Sequence, residues 1–267
     1  LVYLFFGCLL AQIFADQTLN RIHKDITGRE QLVLEINNYR DEQELLQFIE
    51  SIMQTHLIPG LSVSVVKDEN IVWEKHLGHA NIDDDIPVDE NTLFILSSIS
   101  KTVTATALMQ IFENGLFDLD DDIDDYLPFN VNHPDYPLVP ITFKMLLTHL
   151  SGIRDNWNVM TYYDGDSHLE LSYYLSQYLN PEGEFYNSNL NFTDSMPGIN
   201  HTYTNNGAAL IGLLVEEISN QSFNDYCSEN IFEPLSMNNA FWFLSEIDNL
   251  DQIASPYQVT GGSGDSC

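Results

Sequence analysis

Residues 94–115 read FILSSISKTVTATALMQIFENG and combine a candidate nucleophile with the pattern of a buried helix. Apolar residues recur at i, i+3, i+4 and i+7, the spacing of one buried helical face: Ala105, Leu108, Met109 and Phe112. Gly115 follows as a stop signal. Ser98 and Lys101 have the spacing S-x-x-K at the head of this run. The pattern therefore predicts a buried helix whose first turn carries Ser98.

The S-x-x-K spacing has a chemical use. Residues three apart on a helix share one face, with Cβ atoms about 5–6 Å apart, so the Lys101 amine would reach the Ser98 hydroxyl. A serine hydroxyl is a weak nucleophile until a neighbouring base accepts its proton. Unpaired N–H groups at a helix N-terminus can also stabilise an oxyanion. Ser98 is therefore the candidate nucleophile and Lys101 its candidate proton acceptor, although such a spacing also arises by chance.

The composition limits the range of partners. A chain of 267 residues can form one large domain or two small ones. Its 9 basic and 40 acidic residues give a formal net charge of −31. Nucleic acid and anionic membrane surfaces are therefore not expected partners, because both reward clustered Lys and Arg. Three cysteines do not indicate a disulfide framework.

The N-terminal residues 1–15, LVYLFFGCLLAQIFA, form an apolar run too short to span a bilayer comfortably. Ile13 and Ala15 stand at the −3 and −1 positions of a candidate signal cleavage site, with Asp16 as the first mature residue. The run therefore predicts a signal peptide and a secreted or extracytoplasmic protein with no stable membrane span. A buried strand or helix is the structural alternative. Residues 16–40 are interpreted as a lead-in and residues 41–267 as the domain itself.

Two elements are predicted before the S-x-x-K segment. A helix begins at Asp41 and ends before Pro59-Gly60, with apolar residues on one face. Two alternating β-branched runs, 61–67 and 71–77, then predict a β-hairpin.

The acidic segment 116–129, LFDLDDDIDDYLPF, predicts a short helix that ends at Pro128. It is not interpreted as a calcium loop of the EF-hand type. Asp125 stands where that loop needs its turn glycine, and Val131 where it needs a bidentate glutamate.

Residues 141–153, ITFKMLLTHLSGI, predict a helix with Thr142 as its N-cap and Gly152 as its C-cap. His149 lies near the end of this helix. It has two open roles, a structural one in bonding the local backbone and a chemical one as a general base.

A second informative segment, residues 196–219, reads MPGINHTYTNNGAALIGLLVEEIS. A Pro-Gly turn leads to Tyr203-Thr204-Asn205, and an apolar helix follows. Tyr178-Leu179-Asn180 has the same Y-x-N spacing, but Pro181 follows it at a predicted helix end. Tyr203 is therefore the favoured tyrosine.

Five ordered segments together resemble the serine β-lactamase-like superfamily, which includes class C β-lactamases, D-alanyl-D-alanine carboxypeptidases and related esterases. The segments are PGLSVSVVKDENIVWEKHLGHANIDDDIPVDENTLF, SSISKTVTATALMQIFENGLFDLDDDIDDYLP, LLTHLSGI, PGINHTYTNNGAALIGLLVEEIS and IFEPLSM. Their order and spacing match the family across residues 41–257. The resemblance implies an α/β fold of the α+β type, with an antiparallel sheet flanked by helices and a mainly helical subdomain.

The same resemblance implies roles for four residues. Ser98 matches the acyl-accepting nucleophile and Lys101 its proton-shuttling partner. Tyr203 matches the tyrosine that acts as a base in acylation and as an acid towards the leaving group. Asn205 matches the asparagine that helps to hold Lys101 and the substrate amide. Whether Lys101 or Tyr203 deprotonates Ser98 stays open, because the two would titrate as a coupled pair.

One motif of the family is missing. The third cleft motif, K-T-G or H-x-G, does not occur after Tyr203. In the family it lies on a later strand and supplies the second oxyanion donor. The chain ends at GGSGDSC, where family members usually continue with further strands and a helix. We therefore expect a C-terminally truncated sequence that lacks these strands.

The implied function is that of a serine hydrolase, acting through an acyl-enzyme on a β-lactam, a D-Ala-type peptide or a small ester. No metal and no organic cofactor are expected, and the oligomeric state is not predicted. The alternative from another class is a catalytically inactive binding or scaffold protein. A Ser-His-Asp lipase is disfavoured, because the chain has no G-x-S-x-G elbow.

Overall fold

The computed structural model describes residues 42–161, 163 and 165–258. The predicted signal peptide and lead-in, residues 1–40, lie outside the described residues. Within the described residues the chain forms two compact units. The first unit consists of residues 42–99 and 249–258, and the second runs from Ser100 to Asp248.

The first unit contains the predicted helix and hairpin. Helix α1 is Glu42–His56, and the strands are β1 Gly60–Lys67, β2 Asn70–Asn81 and β3 Ile86–Pro87. They form an antiparallel sheet in the order β1-β2-β3. Asp68 and Glu69 both have positive φ, as the two central residues of a tight hairpin turn require. A small core of Met53, Leu61 and Val63 joins α1 to the sheet.

The second unit is mainly helical. Its helices are α2 Ser100–Glu113, α3 Phe143–Leu147, α4 Leu171–Leu179, α5 Ser188–Asn191, α6 Asn205–Ser219 and α7 Phe223–Cys227. A π-helical turn, Ser228–Phe232, follows α7. Helix α6 is central, since it packs against α2, α3, α4 and α7. The antiparallel sheet and the helical unit agree with the predicted α+β class.

Helix α2 differs from its prediction in start and in orientation. It begins at Ser100, and its buried residues are Thr104, Ala107, Leu108 and Ile111. This stripe lies one position earlier than the predicted one. Leu108 belongs to both stripes, whereas the predicted Ala105, Met109 and Phe112 are only partly buried.

The acidic segment 116–129 does not form the predicted helix. Its only helical part is the 3₁₀ turn Ile123–Asp125, which the Asp122 side chain caps by accepting a hydrogen bond from the Asp124 N–H. Aspartates bond nearby backbone in this way and so compete with a continuous helix.

The segment 141–153 confirms one predicted cap and corrects the other. Thr142 is the N-cap of α3 and accepts a hydrogen bond from the Met145 N–H. The helix ends at Leu147 instead of continuing to Gly152. It stops there because His149 has the left-handed φ of 55°, which a helix cannot accommodate. Among the described residues, no helix combines the length and apolarity needed to cross a membrane.

Candidate active site

Three of the four predicted site residues come together in the second unit. Lys101 is on the first turn of α2, Asn205 is the first residue of α6, and Tyr203 lies two positions before α6. The Nζ of Lys101 donates a hydrogen bond of 2.7 Å to Oδ1 of Asn205. The same Nζ lies 5.0 Å from the centre of the Tyr203 ring, in the range of a cation–π contact.

The sequence around Tyr203 explains this placement. Thr204 is extended and is the N-cap of α6, and its hydroxyl accepts the Gly207 N–H at 3.1 Å. Tyr203 therefore remains outside the helix, and its side chain is 47% exposed. Asn205 stands on the first turn, where it faces Lys101. The Y-x-N spacing therefore places Tyr203 just before the N-cap residue, with its phenol accessible to solvent. It places Asn205 just after the N-cap residue, with its side-chain amide facing Lys101.

Ser98 lies in a 3₁₀ turn, Ser97–Ile99, that leads directly into α2. This corrects the prediction that Ser98 stands on the first helical turn. The preceding Ser97 has a φ of 47°. Residues other than glycine seldom have a left-handed φ. Those that do are enriched at functional sites, where the surrounding structure enforces the conformation. Ser98 itself is half-buried and precedes Lys101 by three residues.

His149 packs beside the predicted site. Its ring centre lies 4.6 Å from that of Tyr203, and its Nδ1 accepts a hydrogen bond of 3.3 Å from the Thr204 N–H. Its backbone carbonyl also accepts the Thr202 N–H at 2.8 Å. Burial lowers the pKa of His149, and nearby His201 and Lys101 lower it further. Because its Nδ1 already accepts a backbone N–H, the ring fits the structural role better than the role of general base.

Tyr178, the tyrosine of the second Y-x-N match, is part of the core. It is fully buried, and its hydroxyl donates to the Arg154 carbonyl at 2.7 Å and accepts the Asn156 N–H at 2.8 Å. Burial raises the pKa of this hydroxyl. Its position agrees with the choice of Tyr203 over Tyr178.

Sequence reasoning missed one residue that contacts the predicted site. Asp155 accepts hydrogen bonds from the backbone and side chain of Asn205. The quoted segment LLTHLSGI ends two residues before it. A single aspartate in a loop carries no periodic signal, so only the folded chain reveals the contact.

Comparison with known proteins matches this chain to one family. The sequence model described as Beta-lactamase matches residues 45–262. The human serine beta-lactamase-like protein LACTB, mitochondrial, is 37% identical over 97 residues, which are 36% of this chain and 18% of that protein. Penicillin-binding protein 4* of Bacillus subtilis is 26% identical over 201 residues, which cover 73% of this chain and 40% of that protein.

The fold agrees with a solved structure as well. The octameric penicillin-binding protein homologue from Pyrococcus abyssi superposes with a TM-score of 0.62 and 26% identity. That match covers 80% of this chain and 47% of the other. In each of these three comparisons the chain spans less than half of the length of its relative.

Proposed function

This chain belongs to the beta-lactamase family, and from that premise we propose that it is a serine hydrolase that forms an acyl-enzyme on Ser98. The observation that carries the proposal is the convergence of Lys101, Asn205 and Tyr203. These residues come from two helix starts that are far apart in the sequence. In the proposed site they supply the base that Ser98, three residues before Lys101, needs as a nucleophile.

The proposed reaction has two steps. In the first, Ser98 Oγ attacks the substrate carbonyl carbon and its proton moves to Lys101 or Tyr203. The bond from the carbonyl to the leaving group then breaks, and the leaving group takes up a proton from the same pair. In the second step, water attacks the acyl carbon, the acid is released, and the Ser98 hydroxyl is restored.

Each of the other residues has a distinct part. Lys101 and Tyr203 are the two candidate bases and share the proton that leaves Ser98. Asn205 holds Lys101 and offers its amide towards the substrate. The oxyanion would be stabilised by the N–H of Ser98, at the entry to helix α2.

The proposed substrates are a β-lactam, a D-Ala-type peptide or a small ester. Support for the first comes from the relatives named as penicillin-binding proteins. The strong negative charge of the chain favours neutral or cationic substrates over anionic polymers. A secreted or extracytoplasmic location remains part of the proposal, on the pattern of residues 1–15.

A labelling experiment tests the proposal. Purified protein is treated with a fluorophosphonate and, separately, with a fluorescent penicillin, and the labelled peptide is identified by mass spectrometry. We expect the label on Ser98 and none on the Ser98→Ala variant. Equal labelling of the two proteins would refute the mechanism, and no labelling of the wild type would favour an inactive binding or scaffold protein.

Strand β1 supplies a matched control. Ser64 and Lys67 also have the spacing S-x-x-K, but they lie on a strand, where residues three apart point to opposite faces. The Ser64→Ala variant should therefore label like the wild type. If Ser64→Ala lost the label while Ser98→Ala kept it, the labelled residue would be Ser64 and the assignment of Ser98 would be wrong.

A further inference from the structure

The Asp155 carboxylate accepts a group of hydrogen bonds from the start of helix α6. The N–H of Asn205 lies 2.9 Å from each of its oxygens, and the N–H of Asn206 lies 3.1 Å from Oδ1. The Thr204 hydroxyl donates to Oδ1 at 2.9 Å. The side-chain amides of Asn205 and Asn206 donate at 2.7 and 3.2 Å. One carboxylate therefore organises three consecutive residues.

Asp155 also fixes which way the Asn205 amide points. An ionised carboxylate can only accept hydrogen bonds, so it must face the NH₂ group of Asn205. Lys101 donates through Nζ, so it faces the oxygen of the same amide. The observed contacts are of this kind, with Nδ2 towards Asp155 and Oδ1 towards Lys101. Asp155, Asn205 and Lys101 thus form one hydrogen-bonded chain that runs from carboxylate through amide to amine.

The backbone on both sides of Asp155 is held by the core. The buried Tyr178 hydroxyl bonds the Arg154 carbonyl and the Asn156 N–H. The Arg154 N–H donates to the Asn191 carbonyl at 2.9 Å, and the Asn156 side chain donates to Asn191 Oδ1 at 2.9 Å. These bonds hold the backbone of the loop in place, so the Asp155 carboxylate has a fixed position beside Asn205.

We propose that Asp155 is a positioning residue for acylation, holding Lys101 in place through Asn205. The inference rests on the proposed function. A helix cap alone would need only the N–H contacts, which also favour a negative charge at the N-terminus of the fifteen-residue α6. The bond to the Asn205 side chain goes beyond capping, because it sets the atom that meets Lys101.

Two variants separate positioning from capping. Asp155→Asn keeps the shape of the side chain but places its NH₂ group against the N–H donors of Asn205 and Asn206. Asp155→Ser retains one short hydroxyl acceptor, yet it lacks the second oxygen for the Asn205 amide. We expect both variants to label with the fluorophosphonate about 100-fold more slowly, the size of effect that a small misplacement of a reacting group produces.

Asp166 provides the matched control. Its carboxylate also accepts two consecutive backbone N–H groups, those of Leu244 at 2.7 Å and Ser245 at 2.9 Å. It lies in the same connecting segment, between α3 and α4. Asp166→Asn should label within about twofold of the wild type, since it removes a comparable cap away from Lys101.

A double-mutant cycle gives a readout that a purely structural role would not move. If Asp155 acts through Asn205, Asp155→Ser should slow labelling strongly in the wild type and little in an Asn205→Ala background. The inference alone would be overturned if Asp155→Ser slowed labelling by the same factor in both backgrounds. It would also be overturned if Asp155→Ser were labelled as fast as the wild type. An unlabelled wild type would overturn the proposed function and the inference together.

Discussion

Lys101 and Asn205 are 104 residues apart in the chain and are joined by a hydrogen bond of 2.7 Å. The bond links the first turn of α2 to the first turn of α6. These two helices pack on each other through buried side chains that include Leu108 and Leu210. The geometry of this Lys101–Asn205 contact is therefore set by the core of the second unit.

The first prediction concerns Asn205 itself. Asn205→Ala removes the acceptor for Lys101 and one donor to Asp155. A hydrogen bond to a charged group contributes about 1.5–3 kcal/mol, so fluorophosphonate labelling should slow by about 10- to 100-fold. The rate of labelling, followed by in-gel fluorescence, measures the effect.

Asn180→Ala is the control for that variant. Asn180 ends the other Y-x-N match and serves as the C-cap of α4, where its Oδ1 accepts the Glu182 N–H. It should leave the labelling rate unchanged. If both variants slowed labelling equally, the loss would reflect general loosening of the unit and not the contact with Lys101.

Local motifs could be predicted from the sequence, and the family resemblance implied the Lys101–Asn205 contact, whereas the contacts of Asp155 could not be predicted. The S-x-x-K and Y-x-N spacings identify Lys101, Tyr203 and Asn205 because each depends on neighbours in the chain. Asp155 depends on the path of the loop after α3, which no periodicity encodes. The face of α2 was misplaced by one residue for a similar reason, since its buried side is chosen by the helix it packs against.

The second prediction concerns the anchor of the Asp155 loop. Tyr178→Phe keeps the buried ring but removes the hydroxyl, leaving the Arg154 carbonyl and the Asn156 N–H without this partner. Unpaired buried polar groups cost about 1–3 kcal/mol, so the free energy of unfolding in urea should fall by that amount. Labelling should slow as well, because the loop that carries Asp155 loses its anchor.

Tyr173→Phe is the control on the same helix. Tyr173 is 47% exposed, so removal of its hydroxyl should change the free energy of unfolding by less than about 0.5 kcal/mol. A Tyr178→Phe protein as stable as Tyr173→Phe would show that the hydroxyl bridge contributes little.

The third prediction concerns the turn after α3. Gly152 has a φ of 78°, and a Cβ there would lie 2.9 Å from Cδ2 of the buried His133. Gly152→Ala should therefore destabilise the protein by about 2–4 kcal/mol, from the left-handed backbone and the clash together. Gly115 has a similar φ of 71° but open space around its Cβ position. Gly115→Ala should cost only the backbone part, about 1–2 kcal/mol, and equal losses in urea unfolding would contradict the clash.

The fourth prediction concerns His133 and pH. This buried ring contacts the Thr193 carbonyl through Nε2 at 2.9 Å and accepts the Asp135 N–H at Nδ1. Both nitrogens are thus satisfied in the neutral form, and a proton on Nδ1 would face another donor. Burial lowers the pKa of His133 below its ordinary 6.5, and this outweighs the opposite effect of the Thr193 carbonyl and of Asp135 and Asp194.

The sign of the pH effect follows from that shift. Below pH 6.5 the unfolded chain binds a proton that the folded ring resists, so the stabilisation from neutral His133 is complete above pH 6.5 and is lost as the pH falls through the lowered pKa. Urea unfolding at pH 7.5, 6.5 and 5.5 measures this loss. His133→Gln keeps an NH₂ donor for Thr193 but cannot titrate, so it should be less stable at pH 7.5 and lose less on acidification. The pKa of His149 is also lowered by burial, but His149 is present in both the wild type and His133→Gln. The difference between their slopes of unfolding free energy against pH therefore isolates His133. Parallel slopes would mean that His133 titrates alike in the folded and unfolded chains.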